Sequence, residues 1–535
     1  MPTITIDDKV CQFEEGQSII EVAHANEIEI PHYCYHPGLS IVANCRICLA
    51  EVWAPNPRND NALEPIPKLL PTCQTPAGDG QVVHTTSPKA VANQKAVMEY
   101  LLVNHPLDCP VCDQAGECSL QDYAFDYGRG ERRCKEEKIT QPKKDIGEHV
   151  LLYGDRCIMC TRCVRFTDEI TETSELMIDG RGAQEQIDVF PGRGLCNELT
   201  GNIVDICPVG AMLDKEFLFK QRVWNLQQSP SIDPITASGD NLVVEHNRGI
   251  VYRIKPRENM DINRWWITDE VRYGCDFVHA ENRLTMPVIK GEPRAEDESA
   301  PAMWDDAREA FLSSLNGAGR VALYLSPMLS CEDAWLLARL VRRVDEDAII
   351  GIADAPICGE DKEFADGYMM RAEKSPNARG VRRAVPEAMD ETAFASAVQG
   401  ADAIVMTGNW PQAQTIPSWL DDQTLLLIDT LHGELADRAD ILLPSATFAE
   451  KDGTFENCIN TLQVFRGAID PIDFCLSEGQ IALDLLNLHA GNQRCKFDAE
   501  TTRRSMADGG IPEMLSIPMP PRAKHVESDM PLVEI

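Results

Sequence analysis

Residues 156–163 read Arg-Cys-Ile-Met-Cys-Thr-Arg-Cys, and Cys207-Pro208 lies further on, giving Cys157-x2-Cys160-x2-Cys163-x43-Cys207-Pro. Thiolates at these intervals close around one inorganic core, and the trailing Cys-Pro matches the spacing of bacterial-type [4Fe–4S] runs. Where such a run serves two clusters, a further cysteine follows close behind the triplet; here Phe166-Thr167 follow without one. One [4Fe–4S] centre closed by Cys207 is the economical reading.

Upstream, residues 105–118 read HPLDCPVCDQAGEC and place His105, Cys109, Cys112 and Cys118 close together. Pro106 and Pro110 stiffen this loop, and Gly116 permits a sharp turn. Four such donors wrap one metal centre. Three cysteines with a histidine are also a common zinc set, and ligand softness does not decide between zinc and a [4Fe–4S] cluster. With iron bound, a neutral imidazole in place of a thiolate removes one negative charge, which raises the reduction potential relative to an all-cysteine neighbour.

Nearer the start, Cys34-x10-Cys45-x2-Cys48-x24-Cys73 groups three thiolates with a distant fourth, a relative of the plant-type [2Fe–2S] spacing. Small and polar residues at Ala43-Asn44-Cys45-Arg46 allow a tight loop whose N–H groups point at cluster sulfurs. The three sets use eleven of twenty cysteines. Cys196 is the one leftover near a cysteine run, and a lone cysteine reads as a small buried hydrophobe. His24, His32, His36 and His149 read as surface or satisfied core histidines. Arg46, Arg156, Arg162 and Arg165 flank thiolates and either offset cluster charge or sit solvated. Trp265, Trp266 and Trp304 read as packing rather than electron relays.

Fourteen cysteines fall between Cys11 and Cys207. Without an export signal, reducing conditions make such density metal ligation rather than a disulfide framework. At 535 residues, several domains are expected, and Gly 34 and Pro 34 match ordinary globular usage. Fifty basic against 85 acidic residues, a net charge of −35, argue against nucleic-acid binding, which relies on Lys and Arg. Met1 to Phe13 lacks the pattern of a signal peptide, and no apolar run is long enough to span a membrane. The expectation is a cytosolic protein or one docked on a membrane complex. Neither G-x-G-x-x-G after a strand nor G-x-x-x-x-G-K-[ST] occurs, so a partner must supply any nucleotide site.

Local patterns fill in the rest. Thr3 to Val10 alternates into an Asp-Asp turn as a hairpin does, Ser18 and Glu21 form a capping box, and Ser87-Pro88 opens a helix to Asn104. Trp53 to Leu70, rich in Pro and Asn, reads as an inserted surface loop. Asn241–Glu245 and Val251–Ile254 read as strands. Val321–Leu325, Ala403–Met406 and Leu425–Ile428 read as buried parallel strands separated by helices such as Asp333–Val344.

HPLDCPVCDQAGEC, RCIMCTRCVRF and ELTGNIVDICPVGA, in that order, resemble the large iron–sulfur subunits of NADH-quinone oxidoreductases, the respiratory complex I family. Ser231 to Arg272 and Ala439 to Asn457 resemble molybdopterin oxidoreductases. The resemblance implies an α+β N-terminal part, with ferredoxin-like (β-grasp) and iron–sulfur modules, followed by a truncated α/β molybdopterin-oxidoreductase-like domain. It implies a [2Fe–2S] ferredoxin-type domain over 1–85, a histidine-and-cysteine [4Fe–4S] domain over 86–140 and a ferredoxin-like [4Fe–4S] domain over 141–220. A molybdopterin-like domain without its own cluster follows over 221–510, with a disordered tail at 511–535.

The same resemblance makes Cys34, Cys45, Cys48 and Cys73 the ligands of one [2Fe–2S] cluster and settles iron over zinc at the two [4Fe–4S] sets. It implies electron transfer from a flavin in a partner subunit towards quinone, coupled in the complex to proton translocation. It also implies a peripheral place on the cytoplasmic face of a bacterial inner membrane, with membrane contact only through the complex. Some family members carry an extra four-cysteine cluster after the third set; here no cysteine lies between Cys207 and Cys275, so no fourth cluster is expected. The alternative is an electron-transfer subunit of a NAD-linked hydrogenase or formate dehydrogenase, where the same three-cluster module recurs. A zinc-stapled scaffold is the non-redox alternative, and the closely spaced Cys157, Cys160 and Cys163 suit it badly.

Overall fold

A computed structural model describes residues 1–290 and 300–520. The chain forms two units, Met1–Asn225 and Leu226–Ile535.

In the first unit, Thr3–Ile6 and Lys9–Gln12 pair antiparallel across a turn in which Asp7 and Asp8 take left-handed backbone angles. Val82–His84 adds parallel to Thr3–Ile6, and Leu49–Asn56 adds antiparallel to Val82–His84. The helix Ile19–Ala25, closed by the Ser18–Glu21 capping box, lays Ile19, Ile20 and Val22 into the core beside Ile4, Ile6 and Val52. This mixed sheet with one crossing helix is the grasp that the resemblance implies.

The stretch expected to be a loop, Trp53 to Leu70, instead belongs largely to a β-hairpin. Leu49–Asn56 pairs with Ala62–Pro65, with Pro55 and Pro65 in the hairpin at the sheet edge, where a missing N–H is tolerated. Asp60 and Asn61 take left-handed angles in its turn, while Asn56 and Asn59 donate to Glu64 at 2.6 and 2.8 Å. The Pro and Asn content therefore marks the turn and edge of a hairpin.

Ser87 caps the helix Pro88–Asn104. Beyond it come the short helix Ser119–Asp126, a three-stranded antiparallel sheet of Met212–Asp214, Val150–Tyr153 and Lys143–Asp145, and a hairpin of Leu176–Asp179 with Gln186–Val189. Helices Arg162–Glu169 and Asn202–Ile206 carry or flank the third cysteine set.

The second unit opens with three antiparallel strands, Gln227–Ile232, Asn241–Asn247 and Ile250–Pro256. Its main sheet runs Val288–Ile289, Ile441–Pro444, Thr424–Asp429, Ala403–Thr407, Val321–Leu325, Ile349–Ile352, parallel except for the first edge strand. Strand alternation sends Val321, Leu323 and Leu325 to one face, against helices Cys331–Val344 and Glu478–His489. Ala322 and Tyr324 point to the other, where Tyr324 meets the Phe394 and Trp419 rings at 4.9 Å. Both faces are covered, which is why these strands read as continuous apolar runs.

The tail expected from 511 onward starts as packed structure. Pro512–Leu515 forms a helical turn, and Met514, 2 % exposed, joins the main core because its thioether fits the irregular edge of that core. Residues 521–535 lie outside the described residues. No helix among the described residues is long and apolar enough to cross a membrane.

Candidate metal centres

The Cys34 and Cys45 sulfurs stand 3.4 Å apart, and those of Cys48 and Cys73 3.6 Å. Two thiolates on one tetrahedral metal with bonds of about 2.3 Å stand about 3.7 Å apart. The four sulfurs thus form two pairs, the division that the two irons of a [2Fe–2S] core require. Within each pair a thiol donates to its neighbour. Cys45 is pulled down to about 5 by the Cys34 thiol, and Cys48 is lowered by its hydrogen bond with Cys73, while Cys34 and Cys73 are pushed up. The loop between them folds as its composition suggests. Ala43 and Arg46 take left-handed angles, and the N–H groups of Asn44 and Cys45 point at the Cys34 sulfur.

His105 is the C-cap of the helix Pro88–Asn104, Cys109 opens the turn Cys109–Val111, and Cys118 is the N-cap of Ser119–Asp126. These three and Cys112 line one cavity together with Arg156 and Gly210. Gly116, with φ +97°, makes the sharp turn its position predicts. Burial pulls His105 down to about 4, so at neutral pH the imidazole is uncharged, the form that binds metal. Burial pushes Cys118 up to about 11 and raises Cys112 as well, although the Leu120 and Gln121 N–H groups at the helix start oppose the rise at Cys118.

Cys157, Cys160, Cys163 and Cys207 line a second cavity, closed by Ile158, Ile187 and Met212. Met159 and Thr161 alternate into left-handed angles, which curls the run so that its sulfurs converge. The Met159 N–H donates to the Cys157 sulfur at 3.3 Å, and the N–H groups of Val209, Ala211 and Met212 address Cys207. Burial raises all four thiols, Cys160 to about 11.

All three sets pass a test of fit. Cys34, Cys118 and Cys160 share one apolar cluster, with Cys45, Cys157 and Cys207 at its margin. Free thiolates are costly in such surroundings unless a cation compensates them. Peptide N–H groups already face several of the sulfurs, as an anionic cluster needs. Among the described residues no three His, Cys, Asp or Glu side chains converge tightly enough for a single metal ion.

Other residues fall differently. Cys196 is exposed rather than buried, because its thiol donates to Glu175 at 3.2 Å at the surface. His32 and His36 are satisfied by local backbone partners, Ile30 and Gly38. Trp266 and Trp304 are buried with their indole N–H groups bonded to Asp366 and to the Phe474 carbonyl. Of the four flanking arginines only Arg46 is exposed. Gly210, which has no Cβ to fill the His105 cavity, and the burial of Arg156 and Arg165 carry no local sequence signal.

Five family models match successive segments of the chain. They are a 2Fe-2S iron-sulfur cluster binding domain over 1–88, the NADH-ubiquinone oxidoreductase-G iron-sulfur binding region over 94–133, and the NADH-quinone oxidoreductase subunit 3 ferredoxin-like domain over 147–213. The NADH-ubiquinone oxidoreductase NDSU1/NuoG-like 4Fe-4S domain matches 226–276, and molybdopterin oxidoreductase matches 378–482. Within 226–276 the sequence holds one cysteine, Cys275, which is buried and donates to the Val271 carbonyl.

Among curated proteins, the mitochondrial NADH-ubiquinone oxidoreductase 78 kDa subunit of Neurospora crassa is 41 % identical over 307 residues, 57 % of this chain and 39 % of that one. The G-type subunit of NADH-quinone oxidoreductase from Rickettsia bellii is 36 % identical over 346 residues, 64 % and 48 % of the two chains. The 78 kDa subunit of Candida albicans is 35 % identical over 415 residues, 76 % and 52 %. The chain spans about half the length of the curated relatives it matches. A solved NAD+-reducing [NiFe]-hydrogenase in the H2-reduced state aligns with 42 % of this chain and 91 % of its own, at 27 % identity and a TM-score of 0.36.

Proposed function

From the homology of this chain with the large iron–sulfur subunits of NADH-quinone oxidoreductases, we propose that it is an electron-transfer subunit holding one [2Fe–2S] and two [4Fe–4S] clusters. Cys34, Cys45, Cys48 and Cys73 hold the first, His105, Cys109, Cys112 and Cys118 the second, and Cys157, Cys160, Cys163 and Cys207 the third. The observation that carries the reading is the convergence of each donor set: two sulfur pairs at 3.4 and 3.6 Å, and two separate cavities each lined by all four donors.

Clusters bound there supply reversible one-electron storage. The residues around them bind, orient and insulate. Peptide N–H groups of residues 44, 45, 159, 209, 211 and 212 stabilise sulfur charge, and Ile158, Ile187 and Met212 exclude water from the cavity of the Cys157 set. Neutral His105 leaves the second site one negative charge short of the third.

The reading extends to a place in a multi-subunit complex. A flavin-bearing partner subunit supplies electrons, other subunits carry the NADH and quinone sites, and the chain reaches the cytoplasmic face of the membrane only through the complex. The single Cys275 in the 226–276 segment supports three clusters rather than four.

Iron and sulfide analysis of the full chain reconstituted anaerobically, with EPR of the reduced protein, tests the proposal. Three centres and about ten irons per chain are expected from one two-iron and two four-iron cores; a single centre overturns it.

A further inference from the structure

Arg165 sits on the helix Arg162–Glu169 and is 9 % exposed. Its Nη2 donates to the Cys34 carbonyl at 2.5 Å and reaches the Cys160 carbonyl at 3.5 Å. Its Nη1 donates to the Ser40 carbonyl and its Nε to Thr161 Oγ1 at 3.3 Å. One guanidinium therefore touches the backbone of a residue from the first donor set and of one from the third.

The surroundings tighten that link. The Ser40 N–H donates to Glu169, on the same helix as Arg165, at 2.7 Å, and Asn44 Nδ2 donates to the Met159 carbonyl at 3.2 Å. Arg162 repeats the pattern from the same helix, donating to the Tyr35 carbonyl at 2.6 Å and the Ile206 carbonyl at 3.0 Å. Every acceptor named for Arg165 is a neutral oxygen, so those contacts leave its positive charge uncancelled. A cation in low-dielectric surroundings favours added negative charge nearby. The flat fork of arginine also spans several carbonyls at once, which lysine, a point charge, does not.

We propose that Arg165 is a positioning residue for electron exchange between the first and third centres, in which one is oxidised as the other is reduced. Its fork clamps the Cys34 and Cys160 carbonyls at a fixed separation, and its charge biases both centres towards the reduced form. The inference rests on the ligand reading above and adds a shared control element that the ligand sets alone do not contain.

Redox titration followed by EPR, on the full chain reconstituted with iron and sulfide, tests it with two variants. Arg165→Gln is expected to move the midpoint potentials of the [2Fe–2S] and third-site [4Fe–4S] signals negative together, leaving the His105 site as an unmoved internal reference. Arg165→Lys is expected to restore the potentials while changing the magnetic interaction between the two signals, because the charge stays and the clamp is lost. Potentials unmoved in Arg165→Gln overturn the inference alone. Equal iron loss in both variants overturns it in favour of a purely structural role. Absence of the two signals from the unaltered chain defeats the ligand reading and this inference with it.

Discussion

The Cα of Gly210 faces the sulfur of Cys112 so closely that a Cβ built on it would stand 2.2 Å away and 3.1 Å from the Gln114 Cβ. No left-handed angle is involved, so Gly210→Ala is a test of space alone. The added methyl enters the cavity where the second donor set converges. Expected is loss of one four-iron centre with the other two retained, read as about four irons fewer per chain and one missing EPR signal. Full iron content in this variant would mean that the second set does not close around that cavity.

Arg156 and Asp108 make the His105 cavity depend on a buried charge. Arg156 is 1 % exposed, donates to Asp108 Oδ2 through Nε at 3.1 Å and Nη2 at 2.8 Å, and lies over the Tyr153 ring at 4.1 Å. Arg156→Leu removes the two charge-assisted bonds and the ring contact and leaves Asp108 without this partner. Because Asp108 remains partly exposed, the expected loss is below the full cost of breaking a buried pair, about 2–3 kcal/mol. Denaturant unfolding of the full chain, followed by a probe in the first unit, measures it; a change under about 0.5 kcal/mol would place the pair with ordinary surface contacts.

How far these features were readable follows from what sets each of them. Cys157-x2-Cys160-x2-Cys163 and the Ser18–Glu21 box are legible because chemistry or capping acts over a few neighbouring residues. The buried strands are legible because cover on both faces demands apolar side chains at every position, as at Val321–Leu325. Trp53 to Leu70 misleads because edge strands tolerate the same Pro and Asn that loops use. Arg165 is opaque for another reason: its burial depends on the Cys34 carbonyl, 131 residues away in sequence, and no local pattern encodes that acceptor.

In the second unit Lys451 is buried against two carboxylates, donating to Asp333 Oδ2 at 2.9 Å and to Glu478. Both acids have no exposed side-chain surface. Lys451→Met leaves them facing each other without a cation, and about 3–5 kcal/mol of stability should be lost at pH 7. Burial already raises Glu478 above the usual carboxylate range, with Lys451 opposing the rise. In the variant Glu478 rises further, the folded state binds more protons than the unfolded, and stability falls as pH rises. The gap between variant and unaltered chain should therefore narrow as pH is lowered from 7 towards 5. Thermal unfolding at the two pH values measures it, and a gap that widens on acidification would contradict the placement of Lys451 between the two acids.

Asp233 and Asp240 give that unit a second acid-sensitive element. Asp233 accepts from the N–H groups of Ile235 and Thr236 at 2.8 and 3.0 Å, yet burial holds it up at about 6. Asp240 accepts from the Tyr368 hydroxyl at 2.5 Å, and its other oxygen has no hydrogen-bond partner among the described residues. Burial, reinforced by Asp233, lifts it well above the ordinary range. Both folded-state values exceed the unfolded ones, so the folded state holds extra protons from about pH 4 upward, and stability declines as pH rises through about 6 and beyond. Asp240→Asn supplies a neutral side chain of the same shape and keeps an oxygen for Tyr368. It should match the unaltered chain near pH 4, exceed it by about 1–3 kcal/mol at pH 7, and flatten the pH slope between them. Unfolding free energies at pH 4, 5.5 and 7 decide the matter: a variant less stable at pH 7 than the unaltered chain would show that the Asp240 charge is matched in the fold rather than tolerated.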